Sequence, residues 1–406
     1  MSKTLVIHFA RYGPYHLARL QAAVRAIQAQ GWLVVGLETS GSDATYDWSP
    51  VKRDDAGAQI ITAFPNCVHE QITLAECKRG LHPLLDKVQP DAVAIAGWGS
   101  SDAFVVLNWC RKHCVRTIVM SESRESDSSR VWWRELMKRF LIRRFDFALV
   151  GGQSHRNYLV KLGLPADHIR YGYDVVDNAY FRVASSRWRA MDQKSGIAVQ
   201  PYFLASNRFV PRKNLVRLLQ AFAAVRDRES CVHAHISDLC LLGDGPERAA
   251  LLSICEALSL SVVQSAPWEV DADPSAVPTG PRVFLPGFRQ IDELPRFYAH
   301  ACCFVHPAIS EPWGLVINEA MACSLPVLCS TNCGAAEELV CDGVNGYQFD
   351  PLDTDSITRC LHTFLNLSPV ARAEMGAASA LTLERVCPVE AFGTGLCELL
   401  SEQLPA

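Results

Sequence analysis

The sequence predicts an α/β chain of two Rossmann-like, doubly wound parallel-sheet domains. Three observations predict it. Short apolar runs alternate with amphipathic stretches of roughly 10–15 residues, the pattern of right-handed βαβ units. The alternation breaks at a polar stretch, 184–199, and then begins again. The length, 406 residues, suits two domains of roughly 200 residues each.

The elements follow in order. In the first half, strands are predicted at Thr4–Phe9, Leu33–Glu38, Ala92–Ala96, Arg116–Met120 and Phe147–Val150. Helices are predicted between them at Pro14–Gln28, Ser101–His113, Arg130–Arg144 and Ser154–Leu162. The second half gives strands at Tyr202–Ala205, Asp238–Leu242, Arg282–Leu285, Cys302–His306 and Pro326–Cys329. Its helices are expected at Lys213–Ala224, Glu247–Leu258, Leu294–Ala299 and Leu315–Ala322. The expected domains are therefore 1–183 and 200–380, joined by 184–199. An acidic, Pro-rich segment, Gln264 to Thr279, reads as an inserted surface loop. Open parallel sheets bind ligands at the carboxyl ends of their strands, so a site is expected in a cleft faced by loops of both domains.

Composition narrows the class. Hydrophobic residues make up 49% and charged residues 20%, with a net charge of −4, so nothing global points to nucleic acid. Residues 1–183 hold 23 Lys and Arg against 18 Asp and Glu, whereas the remainder is acidic. The halves are thus expected to meet different partners, although chance surface variation gives the same imbalance. The start, Met1-Ser2-Lys3, runs directly into a strand, with no secretory pattern. No apolar run approaches the ~20 residues of a membrane span. The 16 cysteines include no Cys-x-x-Cys pair and read as packed, reduced thiols of a cytoplasmic protein.

Three segments carry chemistry. His306-Pro307-Ala308-Ile309-Ser310-Glu311-Pro312-Trp313-Gly314 ends a strand and opens a helix that contains Glu319. The N–H groups of Gly314, Leu315 and Val316 at that helix start suit an anion such as a diphosphate. Glu311 and Glu319 beside them would accept hydrogen bonds from hydroxyls. An ordinary capping Glu and a surface Glu fit the same pattern. Ser206-Asn207-Arg208-Phe209-Val210-Pro211-Arg212-Lys213 brings a guanidinium and an ammonium to another helix start, where a cation is unfavourable unless an anion is near. Such cations can stabilise a leaving diphosphate, and solvated loop cations are the plainer alternative. Gly243-Asp244-Gly245-Pro246 reads first as a structural turn.

Together these segments resemble the retaining glycosyltransferases of the GT-B fold, family 4 of the usual classification. The resemblance runs from about Phe203 to Asp350. It includes Glu311-x7-Glu319, Arg208-x4-Lys213, the Gly-Asp-Gly-Pro turn, Pro326-Val327, Glu337-Glu338 and Asp342-Gly343-Val344-Asn345-Gly346. It implies a hexosyl transfer from a nucleotide-sugar, UDP-linked more often than GDP-linked, without a metal or other cofactor. Arg208 and Lys213 would hold the diphosphate, Glu311 the donor sugar and Glu319 the ribose. Backbone near Gly287-Phe288-Arg289 would meet the base. The closing segment, 381–406, would pack on the first domain.

The first half matches less well. Gly13 opens the loop that approaches the donor phosphates in the family, and His16 and Arg19 are acceptor-side candidates there. Gly97-Trp98 ends another strand and is expected to shape the acceptor pocket. The family often places a His after a mid-domain strand. Here that stretch, Met120 to Asp127, has none, which leaves Glu122, Ser123 or Asp127 as replacements. Asp271-Ala272-Asp273, Asp353-Thr354-Asp355 and His233-Ala234-His235 are weak as metal motifs, because none follows a strand into a cleft with a third ligand. The basic, aromatic-rich helix 130–144 is a candidate for peripheral contact with an anionic membrane; a helix that packs its apolar face and leaves its basic face in solvent is the plainer alternative. Rival readings are a nucleotide-sugar epimerase or hydrolase, and a nucleotide-binding protein without transfer activity.

Overall fold

A computed structural model describes residues 2–44, 48–50, 53, 56–127, 130–229, 237–269 and 280–402. The chain divides into two compact units, Met1–Asp177 with Cys387–Ala406, and Asn178–Val386.

The first unit runs β1 (Thr4–Phe9), α1 (Pro14–Gln28), β2 (Leu33–Ser42), β3 (Gln59–Val68), α2 (Leu74–Val88), β4 (Ala92–Ala96), α3 (Ser101–Lys112), β5 (Arg116–Ser121), α4 (Trp132–Ile142), β6 (Phe147–Val150), α5 (Gln153–Leu162) and β7 (Ile169–Tyr171). Its strands lie in the order β3-β2-β1-β4-β5-β6-β7, each pair parallel. The central strands are apolar almost throughout because both faces are covered. Val6, Ile95, Val119 and Ala148 pack under Val106 and Leu159. Pro14 opens α1, where a missing N–H costs nothing. Thr73 and Glu76 cap the start of α2 reciprocally.

The second unit begins with α6 (Asn178–Lys194) and β8 (Tyr202–Ser206), then α7 (Leu215–Glu229), β9 (Asp238–Leu242), α8 (Arg248–Ala257), β10 (Ser261–Val263) and β11 (Arg282–Gly287). It continues with α9 (Leu294–His300), β12 (Ala301–His306), α10 (Leu315–Ala322), β13 (Val327–Ser330), α11 (Gly334–Leu339), β14 (Gly346–Phe349), α12 (Thr354–Leu365) and α13 (Pro369–Val386). The sheet order is β10-β11-β9-β8-β12-β13-β14, again parallel. Phe203, Leu241, Val283 and Val305 form its core with Leu218 and Phe364. The last described helix is α14 (Glu390–Ser401), which lies along α1 and β7 and buries Leu396 and Leu399.

Each strand order reverses beside the first strand of its sheet. In the first sheet the reversal lies between β1 and β4, in the second between β8 and β12. At such a switch the two connections leave on opposite faces and open a crevice at the carboxyl edge. The topology alone therefore brings the loop after β8 beside the loop after β12.

One boundary differs from expectation. The stretch 184–199 is mostly helix, not a connection, because α6 continues to Lys194. Its polar surface masks a buried line of Phe181, Ser185 and Asp192. Asp192 receives two bonds from Arg296, at 2.7 and 2.9 Å, which tie α6 to α9. The residues Asp271 to Asp273 and His233 to His235 lie outside the described residues. Asp353 accepts from the Asp355 amide at 2.9 Å and caps α12, so this pair serves the helix start.

Candidate active site

The second unit's switch point gathers the predicted donor residues. The loop after β8 forms a 3-10 turn, Pro211–Lys213, closed by Asn214 in the left-handed region (φ 59°). Asn214 donates to the carbonyls of Pro307 and Pro351 at 3.0 and 2.7 Å. The Ile309 amide donates to the Arg212 carbonyl at 2.8 Å. These bonds lash the cationic loop to the loop that carries Glu311.

Glu311 is the electrostatic centre. Its backbone pairs with the segment before α11, taking the Gly334 N–H at 3.1 Å and giving its own N–H to Asn332 at 3.2 Å. Its carboxylate is hydrogen-bonded and ion-paired to the Lys213 ammonium. His306 Nε2 lies 3.2 Å from the same oxygen, and Arg212 stands 3.6 Å from the other. The side chains of Lys213 and Glu311 are only 12% and 9% exposed, so the pair is worth more than a surface ion pair. Burial opposes ionisation of Glu311. The His306 hydrogen bond and the Lys213 charge more than offset it and hold the carboxyl well below the usual carboxylate range. Burial, despite Glu311, pushes the His306 pKa down.

Gly314 stands at the mouth of α10 with φ 101°, a region glycine enters without strain. A Cβ there would meet Cys333 Sγ at 3.1 Å and Glu311 Cγ at 3.2 Å. The free amides of Leu315 and Val316 follow it into the helix. Glu319, two turns in, is fully buried, 0% exposed, and accepts from the Tyr298 hydroxyl at 2.8 Å. It is thus an interior group fixed by Tyr298, not a surface Glu.

The Gly-Asp-Gly-Pro turn supports the cationic loop. The Asn207 amide donates to Leu242 at 2.9 Å, the Phe209 amide to the Asp244 carbonyl at 2.8 Å, and the Glu247 amide to Phe209 at 3.0 Å. These bonds hold Arg208, which is exposed, between two backbone anchors. The turn also reaches the next predicted element, since the Gly243 amide donates to Gly287 at 3.1 Å. Phe288 beside it is 37% exposed, and Arg289 is braced by Glu293 at 3.1 Å.

The first unit distributes its candidates differently. Gly13 caps α1 and donates to His16 Nδ1 at 3.3 Å, while the imidazole stacks on Phe9 at 4.2 Å. Burial, then the charge of Arg19, pushes the His16 pKa down to about 3, so its ring is neutral near pH 7. Arg19 points inward. It donates to the Val175 carbonyl at 3.2 Å, covers the Tyr173 ring at 4.6 Å and lies 3.6 Å from Asp174. Burial, reinforced by Glu122, raises the Asp174 pKa well above the usual range. Glu122 itself is exposed after β5, and the Ser123 amide donates to Ser121 Oγ at 3.1 Å. Asp127 is held by the Arg124 amide and guanidinium at 2.6 and 3.1 Å. Trp98 turns toward α4, where it lines a groove with Phe104 and Trp133.

Sequence reasoning missed a second cluster on this sheet edge. Asp102, in the first turn of α3, is 3.1 Å from His69 Nε2 and 3.6 Å from His8 Nε2. Thr39 donates to it at 2.9 Å. Burial opposes its charge, but the two histidines hold the Asp102 carboxyl far below its usual range. The Asp102 hydrogen bond raises the His69 pKa, whereas burial lowers that of His8. The four residues come from four segments, so no local spacing marks them. Among the described residues, no group of three or more His, Cys, Asp or Glu has metal-site geometry.

The family model of glycosyl transferases group 1 matches residues 189–380, nearly all of the second unit. The second unit is a glycosyl transferases group 1 domain. Arg208, Lys213, Glu311 and Glu319 all lie inside that group 1 domain. The chain is 28% identical over 232 residues to an O-antigen chain mannosyltransferase B of Escherichia coli, covering 56% of this chain and 52% of the relative. It is 29% identical over 218 residues to a GDP-mannose-dependent alpha-(1-6)-phosphatidylinositol monomannoside mannosyltransferase of Mycolicibacterium smegmatis, covering 52% and 50%. The chain thus spans about half the length of these curated relatives. Among solved structures, Anabaena HepE in complex with UDP and glucose superposes with a TM-score of 0.68 at 18% identity, covering 98% and 99%. Sucrose-phosphate synthase from Thermosynechococcus elongatus gives 0.72 at 17% identity, covering 98% of both chains. The architecture around the group 1 domain is therefore the GT-B fold.

Proposed function

We propose that the chain is a retaining glycosyltransferase that moves a hexosyl group from a nucleotide-sugar to a hydroxyl acceptor. The observation that carries this reading is the Lys213–Glu311–His306 constellation at the switch point, set against the open start of α10. Cations and helix-start amides can bind a diphosphate while the ionised, buried carboxylate beside them accepts a hydrogen bond from a sugar hydroxyl. Arg208, Lys213 and the amides of Gly314, Leu315 and Val316 neutralise the diphosphate in place of a divalent metal. As Lys213 turns toward phosphate, Glu311 keeps His306 and takes a donor-sugar hydroxyl. Glu319, enclosed and held by Tyr298, meets the ribose once donor binding uncovers its carboxylate, and backbone near Phe288 and Arg289 meets the base.

In the transfer step the bond from the anomeric carbon to the diphosphate oxygen breaks. The acceptor oxygen bonds to that carbon from the same face, and its proton passes to the departing phosphate. The cations stabilise the charge that develops there. The first unit supplies the acceptor side, where His16, uncharged near pH 7 and accepting the Gly13 N–H, leaves the acceptor proton to the departing phosphate.

UDP-sugars are the first donor class. GDP-mannose is the second reading, favoured by the GDP-mannose-dependent relative. The test is nucleoside diphosphate release from a panel of both, in EDTA, with and without hydroxyl acceptors. Acceptor-dependent release, with an unchanged anomeric configuration by NMR, is expected. Release that is independent of acceptor indicates a hydrolase; an inverted product removes the retaining assignment; and dependence on added metal removes the metal-independent one.

A further inference from the structure

Helix α4 is unlike the other helices of its unit. Trp132, Leu136, Met137 and Phe140 are exposed, Phe140 to 71% and Trp132 to 74%. Ile142 is the one residue of the helix counted as buried. Trp133, Met137 and Phe140 recur at i, i+4 and i+7, so they share a face. That face borders a groove of about 820 Å³ whose far wall includes Trp98, Phe104 and Leu74. Large apolar side chains on a helix and an apolar groove beside it form a continuous surface that water covers at a cost.

Charge identifies what covers it. The segment 130–144 holds six cations and one carboxylate, Glu135. Glu135 is taken up by Arg130 and Lys138, at 3.2 and 2.9 Å, on the side facing Tyr158. Arg134, Arg139 and Arg143 are exposed, and Arg134 covers the Trp133 ring at 5.2 Å. Long cations flanking an exposed aromatic and aliphatic face match the boundary between anionic headgroups and acyl chains. The matching partner is a lipid surface, since a protein groove for this face would itself need several carboxylates around an apolar floor. No helix among the described residues is long and apolar enough to cross a membrane, so the contact is with one leaflet.

We propose that α4 docks the chain on an anionic bilayer, with Trp133, Met137 and Phe140 entering the acyl region and an acyl chain occupying the adjoining groove. Arg134, Arg139 and Arg143 pair with the headgroups. The inference does not depend on the transferase reading, because nucleotide binding by the group 1 domain is measured separately.

The test is co-sedimentation of the full chain with phosphatidylcholine vesicles carrying none or roughly 30 mol% phosphatidylglycerol, at about 0.15 M salt. Two double variants, Trp133→Ser with Phe140→Ser and Arg134→Glu with Arg139→Glu, are compared with wild type. All these side chains are exposed, and thermal unfolding and nucleotide binding verify the fold of each variant. Binding to the anionic vesicles, at least ~10-fold tighter than to neutral ones and reduced at least ~10-fold by each double variant, is the expected result. Absence of sedimentation, equal binding to both vesicle types, or binding untouched by the variants overturns the proposal. So does a wild-type dimer that the Trp133→Ser, Phe140→Ser variant turns into a monomer, which would assign the face to a second copy of the chain.

Discussion

Replacing Lys213 by alanine is expected to lower kcat/KM for sugar transfer by about 10²–10³, the usual effect of losing one donor to developing charge. Lys213 has two tasks in this account. It faces the diphosphate, and it ion-pairs with Glu311. Without it the diphosphate loses a cation, and Glu311 retains His306 at 3.2 Å and Arg212 at 3.6 Å. Because those partners remain, the stability loss stays below the ~3–5 kcal/mol of a fully orphaned buried charge. The folded variant can therefore be assayed. Arg212→Ala is the control. Its side chain is 50% exposed and only approaches Glu311, so its effect is expected within about threefold, as for most exposed pairs. Steady-state kinetics on both variants checks this; wild-type turnover by Lys213→Ala would remove the lysine from the site.

Gly243→Ala is expected to destabilise the second unit by about 3 kcal/mol or more, roughly 6–12 °C in Tm. Gly243 has φ 131°, and a Cβ there would lie 1.9 Å from the Asn207 carbonyl oxygen. Backbone, not a flexible side chain, has to give way. The displaced strand end is the one that positions Arg208, so donor binding falls along with stability. Gly280→Ala is the comparison, since its Cβ meets nothing within 4 Å and the change is expected within ~0.5 kcal/mol. Thermal unfolding followed by circular dichroism reads both, and equal midpoints would mean that the turn is looser than its contacts imply.

Much of the donor site is legible in the sequence because its residues sit at fixed offsets from strand ends. Lys213 and Glu311 each follow a strand by a few residues, and parallel topology brings those ends together. The fully buried state of Glu319 is not legible, because Tyr298 comes from another helix. The strand β3 is obscured by Pro65, which an edge strand tolerates. Helix α2 is obscured by Pro83. The helix α6 reads as a connection because its buried residues are spaced among many polar ones. The cluster of His8, Thr39, His69 and Asp102 joins residues 31 to 63 positions apart through two of its bonds, which only the sheet order reveals. The amphipathic character of α4 is plain in its sequence; that its apolar face stays uncovered is visible only in the packing.

The central claim is that the group 1 domain binds a nucleotide-sugar through the residues around Glu311. Calorimetry of the full chain with UDP and GDP, in EDTA, tests it most directly. Micromolar binding of one nucleotide, weakened at least ~10-fold (about 1.4 kcal/mol) by Lys213→Ala and by Glu319→Ala, is the predicted result. Folded protein that binds neither nucleotide, or binds one with both substitutions without effect, would contradict it.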